Sequence, residues 1–241
     1  MKKILILLIA IPFVSCEPLQ QASGSFPTST SGTQQSKIAD ALKQALTIGT
    51  QNSANKLSSV DGFFADAAVK ILMPPEAQNV EKTLRQFGLG SLVDKTILSL
   101  NRAAEDAAKS ATPIFVNAIK QMTISDALGI LQGGDFAATN YFKDKTTAAL
   151  TAAFSPVITN SLSKVDATKY WSDMFSAYNK FSAKKVPTDL NAFVTQKAID
   201  GIFYKVGLEE QKIRKDPAAR VTDLLKQVFG GNQAKNKMKG L

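Results

Sequence analysis

Histidine is absent from this sequence of 241 residues, and Cys16 is its only cysteine. Histidine is the residue most used for proton transfer near neutral pH and the commonest metal ligand, so its absence excludes Ser-His-Asp and Cys-His catalysis. A single cysteine excludes an internal disulfide and the paired-cysteine zinc patterns. Any catalysis would depend on carboxylates, lysine, tyrosine or an oxygen-ligated metal. We therefore expect a protein that is not an enzyme and that has no metal site and no cofactor.

The amino terminus has the pattern of a bacterial export signal. Lys2 and Lys3 precede an apolar run over residues 4–14 that is interrupted only by Pro12. A helix that spans a membrane needs about 20 apolar residues, so this shorter run is typical of a signal peptide that is removed on export. The pattern predicts a signal peptide over residues 1–15.

The end of this run resembles the lipobox of bacterial lipoproteins. Ser15, a small residue, directly precedes Cys16, although Phe13 stands where the lipobox usually has leucine. The resemblance implies that Cys16 is lipidated and anchors the chain to a membrane; the alternative is an ordinary signal peptide in which Cys16 is incidental. Glu17 follows where an aspartate would favour retention in the inner membrane. We therefore expect a location in the cell envelope, at the periplasmic face of the outer membrane.

Basic residues outnumber acidic ones, 29 to 20, and without Lys2 and Lys3 the side-chain net charge is +7. This balance is compatible with anionic partners such as lipid headgroups, whereas the expected compartment argues against nucleic acid. The densest basic segment is the carboxyl-terminal tail, residues 231–241. That tail is either a solvated end of the chain or a binding segment.

Residues 16–35 and 36–230 differ in composition. The first segment is rich in Ser, Thr, Gln, Gly and Pro, and too poor in apolar residues to offset its ordering entropy, so it is predicted to be a flexible tether from lipidated Cys16. In the second, apolar residues recur at spacings of three and four with no sustained alternation. The pattern predicts an all-α fold, an irregular single-domain bundle of roughly eight to ten helices.

Several helix boundaries can be predicted from residue type. Thr123 and Asp126 have the spacing of a shortened capping box at a helix start. Ser155 followed by Pro156 predicts a further start, because proline suits the first turn of a helix. Gly207 predicts a break in the last long helical stretch.

Two sets of polar residues with helical spacing form the candidate site. The first set is Asn101, Arg102 and Glu105, and the second is Glu209, Glu210, Arg214 and Arg220. Spacings of three and four allow surface pairs that contribute only tenths of a kcal/mol each. The alternative is that Arg102 and Glu105 face inward and meet charges of the second set, because buried charges require partners. A hydrolase using Glu105 with Glu209 or Glu210 would further require these carboxylates to be close in space. The candidate residues are Asn101, Arg102, Glu105, Glu209, Glu210, Arg214 and Arg220.

Bulky apolar residues with helical spacing allow two interpretations. They either fill the core or line a pocket between helices for an acyl chain or another apolar ligand. These residues are Tyr141, Phe142, Trp171, Met174, Phe175 and Tyr178.

Six segments between Ile38 and Gly230 resemble, in order and spacing, the bacterial family named domain of unknown function 4197. The resemblance implies an exported helical domain, and the family carries no activity that could be transferred. The segments are NRAAE (101–105), MTISDA (122–127), AATNYF (137–142), VTQKA (194–198), EEQKIRKDPAAR (209–220) and VFG (228–230).

Two hypotheses for function follow from the sequence. The first is a non-enzymatic binding or scaffold lipoprotein of the cell envelope, which presents a helical surface to an envelope protein or to peptidoglycan. The second is a carrier or sensor of a lipid or small apolar ligand held between helices.

Overall fold

The computed structural model describes residues 29–164, 171, 189–216 and 226, here called the described residues. Their regular structure is α-helical, with one short 3-10 helix at Pro75–Ala77 and no strand, so the predicted all-α class is confirmed. The helices are α1 (Ser29–Ser58), α2 (Gln78–Gln86), α3 (Gly90–Ala108), α4 (Ala111–Gln121), α5 (Ile124–Gln132), α6 (Ala137–Ser163) and α7 (Leu190–Lys215).

The predicted count of eight to ten helices is not confirmed, partly because two predicted boundaries lie inside helices. α6 continues through Pro156, and α7 continues through Gly207. Asn191 of α7 supports the turn beside Pro156. Its Oδ1 accepts from the Ser155 hydroxyl, and its Nδ2 donates to the Ser155 carbonyl oxygen. At Gly207 a Cβ would lie 3.2 Å from the Phe136 ring, so the missing side chain permits close packing and does not break the helix.

The amino-terminal end of α1 also differs from expectation. α1 begins at Ser29, so it extends into the segment 16–35 that was predicted to be a tether. Gln34 and Gln35 have good helix propensity, and a helix whose later turns are held by the core can continue outward through such polar residues. Cys16 and the predicted signal peptide lie outside the described residues.

α1, α3, α4, α6 and α7 enclose the core. α6 packs against α3 and α7, while α1 packs against α7, α4, α5 and α3. Phe115 of α4 meets Phe142 of α6 and Phe203 of α7 edge to face, with ring centroids 5.4 and 6.1 Å apart. On α3, Ala104 and Ala107 are completely buried, which lets neighbouring helices approach closely. α2 lies outside this arrangement, with no buried residue of its own.

No single helix among the described residues is long and apolar enough to cross a membrane. Segments 90–121 and 124–132, bent by 106° relative to each other, satisfy that criterion only as a pair.

The connection between α1 and the 3-10 helix, residues 59–74, follows an irregular path that is packed closely against the core. Gly62 is essential to this path, because a Cβ there would lie 2.4 Å from the carbonyl oxygen of Lys56 and 2.6 Å from that of Leu57. Phe63, the next residue, is completely buried.

Gly62→Ala is therefore expected to lower the free energy of unfolding by about 1–3 kcal/mol, because backbone atoms have to move to admit the methyl group. The matched control is Gly129→Ala in α5, where a Cβ meets nothing within 4 Å. That change is expected to stabilise the protein by about 0.5–1 kcal/mol through helix propensity. Urea unfolding of both variants checks the pair, and equal effects would contradict the packing described for Gly62.

Candidate functional site

Glu105 of α3 is buried, with 5% of its side chain exposed, and faces the loop 59–74. Its Oε1 accepts hydrogen bonds from the backbone N–H groups of Phe63 and Phe64, at 3.1 and 3.2 Å. Its Oε2 accepts from Arg102 Nη1 at 2.6 Å. Both carboxylate oxygens are therefore engaged by donors of the protein itself.

Arg102 links Glu105 to the outer edge of the same loop. Its Nη2 donates to Asp61 Oδ1 at 2.7 Å, and Asp61 has a backbone φ of +65°, in the left-handed region. The hydrogen bond to Glu105, and secondly that to Asp61, raise the pKa of Arg102 above its ordinary value. The guanidinium therefore remains a permanent cation between two carboxylates.

Asn101 of α3 is completely buried and pairs with the backbone of the loop. Its Oδ1 accepts from the N–H of Ile71, and its Nδ2 donates to the carbonyl oxygen of Ile71, both at 2.8 Å. Nδ2 also donates to the carbonyl oxygen of Ile97 at 2.7 Å. The side chain thus serves Ile71 as a neighbouring strand would, since it satisfies both backbone groups of one residue.

Lys205 of α7 was not a candidate from the sequence, yet only 8% of its side chain is exposed, and it pairs with Asp66 in the loop. The hydrogen bond from Lys205 holds the pKa of Asp66 below its ordinary value of 3.8. The sequence signal was a lysine in the apolar run of residues 202–206. Asn101, Glu105 and Lys205 together fasten the loop 59–74 to α3 and α7, and we call these three residues the loop clamp.

Asp66→Asn is expected to lower the free energy of unfolding near neutral pH by about 1.5–3 kcal/mol, because it removes the charged partner of Lys205. A carboxylate whose pKa is lowered on folding stabilises the protein above its unfolded pKa, and this contribution is lost as pH falls through the folded pKa. The difference between wild type and variant should therefore shrink at pH values below 3.8. Urea unfolding over a pH series checks this, and a difference that stays constant down to full protonation would contradict it.

Glu210 of α7 is buried, and its carboxylate contacts the amino-terminal end of α6. Its Oε1 accepts from the N–H of Ala138, and its Oε2 accepts from the N–H of Thr139, both at 2.9 Å. The Thr139 hydroxyl also donates to Oε2, at 2.8 Å. The first N–H groups of a helix have no partner inside the helix and favour negative charge. Glu210 therefore caps α6 from another helix.

Arg214 extends this arrangement to the end of α5. Its Nε and Nη2 donate to Glu210 Oε1, at 3.0 and 2.8 Å. Its Nη2 also donates to the carbonyl oxygen of Ile130 at 2.7 Å, within the last turn of α5. Glu210 and Arg214 thus hold the carboxyl-terminal end of α5 beside the amino-terminal end of α6, and we call this pair the helix-end clamp.

The seven candidate polar residues are therefore divided in space. No hydrogen bond or ion pair within the described part of the chain joins Asn101, Arg102 or Glu105 to Glu210 or Arg214. Glu209 lies at the surface, where it accepts from Asn52 Nδ2 at 3.4 Å and from Lys212 Nζ at 3.1 Å. Arg220 lies outside the described residues.

These geometries show what the polar residues do in the fold. Arg102 and Glu105 form a pair on one helix, but their further partners are the loop 59–74 and not the charges of α7. Among the described residues, no group of three or more acidic, Cys or His side chains could hold a metal ion. The two clamps are arrangements that stabilise the fold.

The surface of the described residues includes two open grooves with helices in their walls. The first, of about 300 Å³, lies between α4 and α6 and includes Tyr141 and Lys145. The second, of about 500 Å³, lies between segment 68–75 and α7. Of the bulky residues considered from the sequence, Phe142 and Trp171 are buried in the core, and Tyr141 lines the first groove. Met174, Phe175 and Tyr178 lie outside the described residues.

The described part of the chain is thus an all-α helical domain whose buried charged side chains fasten a loop and two helix ends. Residues 32–230 match the family described as Protein of unknown function (DUF4197), and the chain belongs to this family. The resemblance predicted from the sequence segments is confirmed. No curated protein and no solved structure shows significant similarity to the chain.

Proposed function

We propose that this protein is a non-enzymatic binding or scaffold module of the cell envelope, anchored through lipidated Cys16 at the periplasmic face of the outer membrane. The observation that carries the proposal is the use of Glu105 and Glu210. Each buried carboxylate accepts backbone N–H groups of the chain itself. A carboxyl group that acts in acid–base catalysis has to exchange a proton with a substrate, and these two are committed to the fold.

A binding role is supported by the grooves on the surface of the protein, whereas the core is filled by side chains. Large side chains such as Phe63, Phe115 and Phe154 are completely buried and fill the core. The two surface grooves are open to solvent and are bounded by both polar and apolar side chains. A binding module requires such surfaces and no reactive group.

A carrier or sensor of a lipid or small apolar ligand is the second candidate. The groove between segment 68–75 and α7 supports it, because Leu72, Phe193 and Tyr204 line that groove with apolar surface. An acyl chain in an open groove would keep part of its length in water, whereas ligand pockets usually bury most of their ligand. This argument favours the binding module.

Metabolic labelling with an alkyne analogue of palmitate tests the anchor. We expect the full-length protein to be labelled in the envelope fraction, and Cys16→Ser to abolish both the label and membrane retention. Equal membrane retention of the variant would refute anchoring through Cys16.

Mass spectrometry and crosslinking distinguish the two functional candidates. The mature lipidated protein is purified from envelopes, and its organic extract is compared with that of an unrelated lipoprotein treated in the same way. We expect no specific stoichiometric lipid or metabolite, and reproducible crosslinks from surface positions to one envelope protein or to peptidoglycan in intact cells. A near-stoichiometric extracted ligand without such crosslinks would favour the carrier and overturn the binding module.

A further inference from the structure

Residues 71–73 have the burial pattern of a short extended segment, although no strand pairs with them among the described residues. Ile71 and Met73 are buried, whereas Leu72 between them is 56% exposed, which is the alternation of an extended chain. Pro74 and Pro75 follow, and a residue before proline is restricted to extended conformations. The segment is therefore held in a conformation that a second strand could pair with.

One edge of this strand is already occupied. Asn101 satisfies both the N–H and the carbonyl oxygen of Ile71. In an extended chain, the backbone groups of successive residues point to opposite edges, so those of Leu72 lie on the edge away from Asn101. Within the described residues, no hydrogen bond engages the N–H or the carbonyl oxygen of Leu72.

The same strand forms one wall of the larger groove. The opposite wall is α7, which contributes Phe193, Lys197 and Tyr204, and Tyr204 is 47% exposed. Ile71 lines the groove although only 2% of the residue is exposed. On the same edge as Leu72, the N–H of Lys70 donates to the carbonyl oxygen of Asp66, and the carbonyl oxygen of Pro74 accepts from Ala77. The groove therefore combines the backbone groups of Leu72 with apolar surface.

Charge in the groove favours an acidic occupant. Lys70 and Lys197 both line it, and Lys70 lies over the Phe64 ring, 3.9 Å from the centroid. The one carboxylate in the lining, Asp200, accepts a hydrogen bond from Gln196. Two lysines and one aspartate therefore line the groove, which gives its lining a net positive charge.

We propose that this groove binds an extended peptide segment of a partner protein, which adds a strand along Leu72 and carries acidic residues among apolar ones. The inference rests on the proposed binding function and specifies its partner. Main-chain hydrogen bonds give affinity in such complexes, and pockets for alternate side chains give specificity. An acyl chain could fill the groove, but it would leave the backbone groups of Leu72 without partners, which is unfavourable once water is excluded.

The test selects displayed random peptides of about eight residues against the full mature protein in detergent. We expect an enriched set in which apolar and acidic residues alternate. The binding of one enriched peptide is then measured against Lys197→Glu and against Lys120→Glu, a control on the exposed part of α4 outside the groove. Lys197→Glu should weaken binding by about tenfold or more, and Lys120→Glu should leave it unchanged.

Backbone pairing is tested on the peptide, so that folding of the protein is not at issue. The amides of the enriched peptide are N-methylated one at a time. Methylation of the amide that donates to the carbonyl oxygen of Leu72 should abolish binding, and methylation of the two adjacent amides should be tolerated, because the N–H groups of successive residues point to opposite edges of an added strand. Random or uniform tolerance, no enriched set, or binding insensitive to Lys197→Glu would each overturn the proposal.

A photoreactive residue at position 204 in intact cells separates this inference from the proposed function. Crosslinking to a peptide segment of another protein, blocked by the enriched peptide, is the expected result. Crosslinking to lipid or to the chain itself would overturn the strand-addition site. Crosslinks to a partner only from other surface positions would also overturn it and leave the binding module intact.

Discussion

Replacing Glu105 with alanine is expected to lower the free energy of unfolding by about 3–5 kcal/mol. The change leaves the N–H groups of Phe63 and Phe64 without their acceptor and leaves Arg102 without its buried partner. An unsatisfied buried donor alone costs about 1–3 kcal/mol. Urea unfolding monitored by circular dichroism measures the loss.

The matched control for Glu105 is Glu81→Ala on α2. Glu81 also pairs with an arginine on its own helix, Arg85, but both side chains are partly exposed. Such surface pairs contribute about 0–1 kcal/mol, so the control should change stability little. Equal effects of the two substitutions would mean that burial and the loop contacts of Glu105 add nothing to stability.

Glu210→Ala is expected to cost a similar amount, about 3–5 kcal/mol, because Glu210 caps α6 and receives the guanidinium of Arg214. The adjacent Glu209→Ala is the control, since the Glu209 carboxylate pairs with the side chains of Asn52 and Lys212 at the surface and its loss should cost less than about 1 kcal/mol. Thermal and urea unfolding of the two variants decide the comparison.

A double-mutant cycle tests the helix-end clamp itself. Glu210→Ala and Arg214→Ala should show a coupling energy of about 0.5–3 kcal/mol, because Arg214 donates two hydrogen bonds to Oε1 of Glu210 and each side chain also contacts a helix end. Strictly additive effects would contradict the pairing of these residues as one structural unit.

Local sequence signals predicted those features of the fold that depend on neighbouring residues. The all-α class follows from apolar periodicity, and the capping box of Thr123 and Asp126 is present at the start of α5, as predicted. Each of these features is encoded within one or two helical turns.

The features that sequence reasoning missed depend on residues far apart in the chain. Glu105 meets Phe63 across 42 positions, and Glu210 meets Ala138 across 72. Lys205 meets Asp66 across 139 positions. Charged residues at spacings of three and four look the same in a sequence whether they form surface pairs or hold a distant loop. Periodicity therefore identified candidate residues but not their partners.

The helix boundaries predicted at Pro156 and Gly207 were wrong for a related reason. Pro156 and Gly207 interrupt helices in isolation, because one lacks an N–H donor and the other has low helix propensity. In the folded chain, Asn191 supports the turn beside Pro156, and the Phe136 ring packs closely over Gly207. Tertiary contacts decided both positions.

If the buried carboxylates hold the fold, amide hydrogen exchange on the intact mature protein should show their effect on the loop 59–74. Phe63 and Phe64 lie outside any helix, yet Glu105 accepts both of their N–H groups. We predict that these amides exchange slowly, that the amide of the exposed Ala67 exchanges quickly, and that Glu105→Ala abolishes the protection of Phe63 and Phe64. Rapid exchange at Phe63 and Phe64 in the wild type, or protection unchanged in the variant, would contradict the claim.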